Sequence, residues 1–597
     1  VEPTNIQDPE YFHKVVDCQY ACPAHTPVPE YIRLIAAEKY TEAYMVNWES
    51  NVFPGILGRT CDRPCEPACR RGRIEQEEEP VAICRLKRVA ADNKGEVKHL
   101  MPTAPAQGNG KKIALIGGGP ASLTVARDLA PLGYEIHLYD EWNKAGGMMR
   151  TQIPAFRLPE SVLDEETGYI LSMGIHTHFN HYVSSMREVL DKGYDAVFVG
   201  TGAPKGRDLE LPGREEGAKN IHIGIEFLAN VAFEHRHSIG KKVVILGGGN
   251  TAMDCCRTAR RLGGEQVTVV VRSPFNTMKA SPWEIQDAQR EDIPIYNNMP
   301  PKEFVVKDGR LTGIVFEKVR VEYDDKGRRN LVPTGEPDVL MEADDVIIAV
   351  GQDNAFPWIE RDLGIEFGRW DLPVLDKKTF QSTLPKVFFG GDAAFGPENV
   401  ITAVAHGHQA AISMDLFCNG KDLLTDRPAP TTNLVRQKMG IHEWMYDSAV
   451  VNDDRYAVPH EEKTLALSNR KIEVELGFDV KTAFREAQRC LNCDIQTVFY
   501  TSRCIECDAC VDICPTTCIT FTANSEDEDE LRSSLNMPAL NKSQDLYVSG
   551  ALPATGRVMI KDEDVCLHCG LCAERCPTAA WDMQKYFYGV TKATKIL

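Results

Sequence analysis

Cysteine sits at the two ends of this chain and is nearly absent from its middle. Of twenty cysteines in 597 residues, only Cys255 and Cys256 fall between residues 100 and 417, and most others recur at gaps of two or three residues. On a chain this long, that spacing is metal-ligand usage in a reducing compartment, whereas a disulfide framework suits a small secreted domain. No other feature constrains the fold as much, because each set of soft ligands ties several backbone segments to one inorganic centre.

The composition removes several functions. A formal net charge of -19 argues against nucleic acid as a partner, since phosphates bind where Lys and Arg neutralise them. No run of eighteen apolar residues marks a membrane span, and VEPTNIQDPEYFHK has neither the basic region nor the apolar segment of a secretion signal, so a cytoplasmic chain is expected. With 43% hydrophobic residues over this length, the chain should divide into three or more cores.

Residues 1–105 read as short helices around two cysteine groups and close in the linker PTAPAQGNGKK. From Lys112 the pattern changes. KKIALIGGGPASLTVARDLAPLGYEIHLYD is an apolar strand, a glycine turn, a helix and a second strand ending at Asp140, and KKVVILGGGNTAMDCCRTARRLGGEQVTVVVR repeats the unit roughly 130 residues later. Two such units predict nested Rossmann-like domains, one from residues 106–205 and 346–420 and a second from 206–345 inserted into it. Residues 421–497 read as a connector carrying Cys490 and Cys493, and 498–597 as a second cysteine-rich unit interrupted by the acidic stretch SEDEDEL. The fold class expected is multidomain α/β, with an α-helical cysteine domain in front and an α+β ferredoxin-like domain behind.

Both glycine turns carry chemistry. Gly117 and Gly119 permit close approach of a pyrophosphate to a helix N-terminus, and Asp140, about twenty residues on, is positioned for a ribose hydroxyl. A glycine-rich turn without a ligand is the alternative, and the paired acid weighs against it. Gly247 and Gly249 repeat the turn, but the strand after it ends in Arg272 and Ser273. An arginine pairs with a 2′-phosphate that a carboxylate would repel, which favours NADP over NAD; a merely exposed arginine is the alternative. Cys255 and Cys256 are adjacent on the following helix, about 100° apart, and are expected to pack.

The C-terminal runs CIECDACVDICP and CLHCGLCAERCP have the spacing of bacterial two-cluster ferredoxins, in which the fourth cysteine of each run ligates the other cluster. Cys504, Cys507, Cys510 and Cys576 are thereby assigned to one 4Fe–4S centre, and Cys566, Cys569, Cys572 and Cys514 to another. Zinc is the alternative, and two overlapping runs each ending in Cys-Pro make it a poor match. Cys518, just past the first run, is expected to pack.

The segments AGGMMRTQIPAFRLP, DAVFVGTGA, DDVIIAVGQ and GGDAAFGPENVITAVAHGHQAA resemble the FAD- and NADPH-binding small subunit of glutamate synthase and the matching half of dihydropyrimidine dehydrogenase, over roughly residues 10–418. The resemblance implies FAD on Gly117, Gly119, Pro120, Ala121, Asp140 and Gly147, with Gly391 and Asp392 near its ribityl and phosphate part. It implies a nicotinamide nucleotide, NADP(H) or NAD(H), on Gly247, Gly249, Asn250, Thr251 and Arg272. The family shows two consecutive arginines where this chain has Arg272 and Ser273, a departure that bears on the choice of nucleotide.

CQYACPAHTPVPEYI and GRTCDRPCEPACRRG resemble the cysteine domain of the same family, whose pattern begins with a further CxxC in a phrase like RCLxC. That phrase is missing upstream of Cys18 and stands instead at residues 489–493 as RCLNC, as in a permuted chain. Carrying over the family's crossed pattern puts Cys18, Cys69, Cys490 and Cys493 on one cluster and Cys22, Cys61 and Cys65 on another. The family's last ligand, often Gln or Glu, falls on Lys87, which is no sensible ligand. Cys84, three residues earlier and on the same face of a helix, is the expected replacement, with a buried structural cysteine as the alternative.

These parts imply an FAD-dependent NAD(P)H:iron–sulfur oxidoreductase subunit with four 4Fe–4S clusters. The expected partner is a catalytic subunit of the 2-oxoacid oxidoreductase kind or ferredoxin, because similar chains with an added two-cluster module accompany those enzymes. The alternatives are a glutamate synthase small subunit, which the added module speaks against, and a non-redox scaffold whose clusters are structural.

Overall fold

A computed structural model describes residues 1–6, 8–74, 79–436, 451–536 and 542–593. The chain forms two compact units, one of Val1–His99, Pro428–Val458 and Gly477–Leu597, the other of Leu100–Arg427 and Pro459–Leu476.

The second unit is built on two parallel sheets. In spatial order, Val387–Phe389, Ala196–Val199, Lys112–Ile116, Glu135–Tyr139 and His176–His178 form the first. Ile221–Ile223, Asp345–Ile348, Lys242–Leu246, Gln266–Val270 and Ile295–Tyr296 form the second. Ala196–Val199 and Asp345–Ile348 are buried at every residue, as strands covered on both faces require. All strands of the second sheet lie in sequence between Ala196–Val199 and Val387–Phe389 of the first, so the two Rossmann-like sheets are nested. Lys205–Gly206 and Gln352–Asp353, on the two crossings, pair antiparallel. Each sheet winds outward to both sides of its glycine-turn strand, Lys112–Ile116 or Lys242–Leu246. The switch point where ligands bind therefore lies at the carboxyl end of that strand.

The first unit contains both cysteine-rich regions. Helix Val28–Ala36 buries Val28, Tyr31, Ile32 and Ile35, the three- and four-residue spacing of a one-sided apolar face. It packs against helices Tyr40–Asn51 and Ile83–Asn93, and helix Val480–Gln488 joins them. Asp479 caps that last helix by accepting a 2.7 Å hydrogen bond from the Thr482 amide. The fully buried strand Ile495–Phe499 follows and pairs with Trp581–Gly589, whose other edge takes Thr431–Arg436. Ile519–Thr522, Val558–Lys561 and Tyr547–Val548 make a second antiparallel sheet. Among the described residues, no helix is long and apolar enough to cross a membrane.

Candidate functional site

Cys18, Cys69, Cys490 and Cys493 line one cavity, walled by Val28, Ile32, Val81 and Ile83. Each of these thiols has a charged neighbour in sequence that is held by an ion pair. Asp17, before Cys18, pairs with Arg70 at 2.9 Å and Arg73 at 3.1 Å, and Arg70 directly follows Cys69. Arg489, before Cys490, is fully buried; it donates to Glu486 at 2.9 Å, to the Glu79 carbonyl at 2.8 Å and to the Asp453 carbonyl at 2.8 Å. Glu486 in turn accepts from the Ala82 amide at 2.8 Å. Asp494, after Cys493, accepts from Arg33 at 2.6 Å. Burial pushes the Cys490 thiol up to about 12, and burial with the neighbouring thiols raises Cys18. A metal centre bound by four such thiols takes the place of their protons, which pass to solvent.

A second group surrounds Cys84. Cys61 and Cys65 hydrogen-bond its sulfur, which holds the Cys84 thiol well below the usual range. Lys87 is buried beside this group, and against the cost of burial the Cys84 sulfur raises its ammonium pKa. The Cys84 amide donates to Glu66 at 3.1 Å, and Glu66 pairs with Arg455 at 2.7 Å.

In the C-terminal region, Cys504, Cys507, Cys510 and Cys576 line one cavity with Phe499, Phe521 and Trp581. Cys514, Cys566, Cys569 and Cys572 line another with Lys561. The backbone does the positioning here. The Glu506 amide donates to Cys504 Sγ at 3.3 Å and the His568 amide to Cys566 Sγ at 3.4 Å, two residues after the first cysteine of each run. The Cys518 and Ala580 amides donate to Cys514 at 3.4 Å and Cys576 at 3.2 Å, four residues after the last. Left-handed residues recur at matching places: Glu506 with His568, Asp508 with Gly570, and Thr517 with Ala579. Five of the six are not glycine, and at Glu506, His568, Thr517 and Ala579 the bend places an amide of that residue or the next on a sulfur, which offsets the local cost. Cys518 is expected to pack. It is 2% exposed, lies 3.5 Å from Cys514 Sγ to Sγ, and lines the same cavity as Cys514 and Cys566.

Arg70 links two of these cavities. From beside Cys69 it donates to the Cys566 carbonyl at 3.2 Å and meets His568 Nε2 at 2.5 Å. Sequence reasoning missed Arg70, Glu486, Arg489 and Asp494. The available signal was a charge directly beside each cysteine of a set that spacing alone cannot join.

In the second unit, the expected dinucleotide residues gather at the two switch points. Gly117 has φ +92, and a Cβ there would come within 2.6 Å of the Gly200 carbonyl oxygen. Gly247 has φ +137 with the Ala349 oxygen at 2.1 Å from such a Cβ, so the two turns are built alike. A Cβ on Gly147 would strike Gly119 at 2.6 Å, and one on Gly391 would lie 3.3 Å from the Ala121 methyl; these residues and Pro120, which opens helix Pro120–Leu129, share one corner. Asp140 accepts from the Gly118 amide at 2.6 Å and the Trp142 amide at 2.8 Å, bracing the turn. Burial raises the Asp392 carboxyl to about 6. At the other turn Asn250 and Thr251 open helix Asn250–Arg261, and Asn250 accepts from the Ser281 amide at 2.8 Å. Arg272 is exposed and makes no ion pair among the described residues, and Lys279 stands nearby, its amide on the Gly248 carbonyl at 3.0 Å.

Residues 111–407 match the pyridine nucleotide-disulphide oxidoreductase family, 13–99 the 4Fe-4S domain II of dihydropyrimidine dehydrogenase, and 503–580 the 4Fe-4S dicluster domain. The β subunit of an NADP(+)-dependent formate dehydrogenase from Moorella thermoacetica is 32% identical, over 80% of this chain and 70% of its own length. The β subunit of the NADPH-Fe(3+) oxidoreductase of Geobacter sulfurreducens is 31% identical over 82% and 77%. The small chain of glutamate synthase [NADPH] from Azospirillum brasilense is 31% identical over 68% and 86%. The chain belongs to the glutamate synthase small chain-like family of flavin and iron–sulfur oxidoreductase subunits. As a member of that family it is an FAD-dependent NAD(P)H oxidoreductase subunit with 4Fe–4S domains front and back. The donors fit those groups: soft sulfur in sets of four around cavities for the clusters, and glycine cradles that any side chain would fill for the dinucleotides.

Proposed function

We propose that this subunit carries electrons between NAD(P)(H) and a partner subunit through FAD and four 4Fe–4S clusters. The sets are Cys18, Cys69, Cys490 and Cys493; Cys22, Cys61, Cys65 and Cys84; Cys504, Cys507, Cys510 and Cys576; and Cys514, Cys566, Cys569 and Cys572. The observation that carries the reading is the meeting of RCLNC with Cys18 and Cys69 around one cavity. When bound, the flavin exchanges hydride with the nicotinamide and single electrons with the iron–sulfur centres. The chain's own residues bind and orient. Gly117, Gly119, Pro120 and Ala121 offer a helix N-terminus to the FAD pyrophosphate, Asp140 holds the ribose, and Gly147, Gly391 and Asp392 close the corner. Gly247, Gly249, Asn250 and Thr251 do the same for NADP(H), and Arg272 takes the 2′-phosphate. Buried Lys561 and Arg70 supply positive charge beside the clustered thiolates. Cys507 is the exposed thiol of the sixteen, and Ile505 beside it is 59% exposed, so electrons leave there.

The partner is a catalytic subunit of the 2-oxoacid oxidoreductase kind, or ferredoxin, in the cytoplasm, where thiols stay reduced. Similarity to a formate dehydrogenase β subunit favours a second reading, in which the partner oxidises formate. Anaerobic purification with identification of co-purifying subunits separates the two. The same preparation should hold about sixteen irons per chain, and about eight would remove the front two clusters. NADPH should bleach the flavin spectrum; a spectrum that stays unchanged with NADPH and NADH would leave only a scaffold. Arg272→Glu should weaken NADP(H) binding by roughly 2–3 kcal/mol and spare NAD(H), and equal losses for both would end the assignment of Arg272.

A further inference from the structure

We propose that Glu135, His137 and His176 form a divalent transition-metal site, best suited to zinc, on the edge of the first parallel sheet. His137 pairs directly with His176, and Tyr139 with His178, between the strand Glu135–Tyr139 and the edge strand His176–His178. Side chains alternate along a strand, so Glu135, His137 and Tyr139 share a face, and the paired histidines stand beside them. The His137 ring stacks on His176 at 4.8 Å and on His178 at 5.2 Å. One ligand atom from each of Glu135, His137 and His176 lies within 4.8 Å of the others.

The hydrogen bonds are those of a metal ligand with its support. His137 Nε2 is 2.8 Å from Glu135 Oε1, and His137 Nδ1 is 2.9 Å from His178 Nε2. His137 and His178 each carry one N–H when neutral, so the chain from His178 to Glu135 has two tautomeric arrangements. With His178 Nε2–H donating to His137 Nδ1, the His137 Nε2–H serves Glu135; with His137 Nδ1–H donating to His178, the Nε2 lone pair and the carboxylate together face the space a cation would take. A ligating histidine whose other nitrogen is held by a neighbour is the usual metal arrangement. Two nitrogens and one carboxylate oxygen suit zinc, with water as the fourth ligand on the exposed side of His176. Lys112 competes for Glu135 Oε1 at 3.2 Å, but its side chain is half exposed and free to swing into solvent.

The ion would join the three-residue edge strand to the strand that runs straight into Asp140, the carboxylate bracing the first glycine turn. The test uses cluster-loaded, anaerobically purified protein equilibrated with zinc chloride, desalted, and assayed for zinc and iron in the same sample. Wild type should retain about one zinc more per chain than the H137Q/H176Q double variant, with equal iron and FAD in both. H178Q should bind zinc roughly 10- to 100-fold more weakly, and Lys112→Ala several-fold more tightly. Retention should fall as pH is lowered, because protons compete with zinc for the imidazole nitrogens. Equal zinc in wild type and double variant, whatever happens to iron, overturns the proposal.

Discussion

The two cysteine-rich regions hold their thiols by different means. At each C-terminal cavity, three cysteines come from a single run and the fourth from its twin, and bent backbone aims amides at the sulfurs. At the front cavity the thiols come from three distant stretches, and Arg71 reaches the Arg489 carbonyl across 418 residues of sequence. There, charged residues beside the cysteines do the holding: Asp17 with Arg70 and Arg73, Arg489 with Glu486, and Asp494 with Arg33. Local spacing is enough when ligands are neighbours. Ligands far apart in sequence need long-range partners, and buried ion pairs supply them with direction, at a desolvation cost.

The sharpest way to break this contrast is the double variant Cys490→Ala/Cys493→Ala. It should lose about four irons per chain and slow reduction of the C-terminal clusters by NADPH, with FAD content intact. Full iron in that variant would show that the front cavity holds no cluster. Next in size is Arg489→Ala, which leaves Glu486 buried and unpaired. A loss of about 3–5 kcal/mol is expected in denaturant unfolding, with front-cluster iron lost first and C-terminal iron retained. Uniform loss of iron would mean the clamp is not specific to its cavity. Asp494→Asn should cost about 1 kcal/mol, because Arg33 is 30% exposed and solvent screens the pair. Smallest is Cys518→Ser, which should leave all iron in place, since Cys514, Cys566, Cys569 and Cys572 already form a full set. Loss of about four irons would make Cys518 a ligand.

The difference between the regions also governs what could be read from sequence. The C-terminal runs are legible because ligand spacing is written in consecutive residues, and so are the glycine turns, where φ and close carbonyl contacts leave room for glycine alone. Nested sheets were legible from the repeated strand–turn–helix unit. The clamps were not, because nothing in a single sequence says that Arg489 lies on Glu486 rather than in solvent. The neighbourhood of RCLNC to Cys18 could be suggested only through the family's pattern. Cys518 shows the opposite failure: a cysteine outside the run looks like core and is core, yet it also lines the cavity. The histidines of His176–His178 gave no signal either, because their meaning lies in strand register.

The front cavity has a consequence for how the protein is made. Cys18 and Cys69 leave the ribosome more than four hundred residues before Cys490 and Cys493. At about 5–20 residues per second, the first two thiols wait on the order of twenty to ninety-five seconds for the others. During that interval the nested sheets can complete, but the front set is half built and open to oxidation or to a wrong metal. Insertion of the cluster proposed for that cavity is therefore a late event, later than the synthesis of the nested sheets.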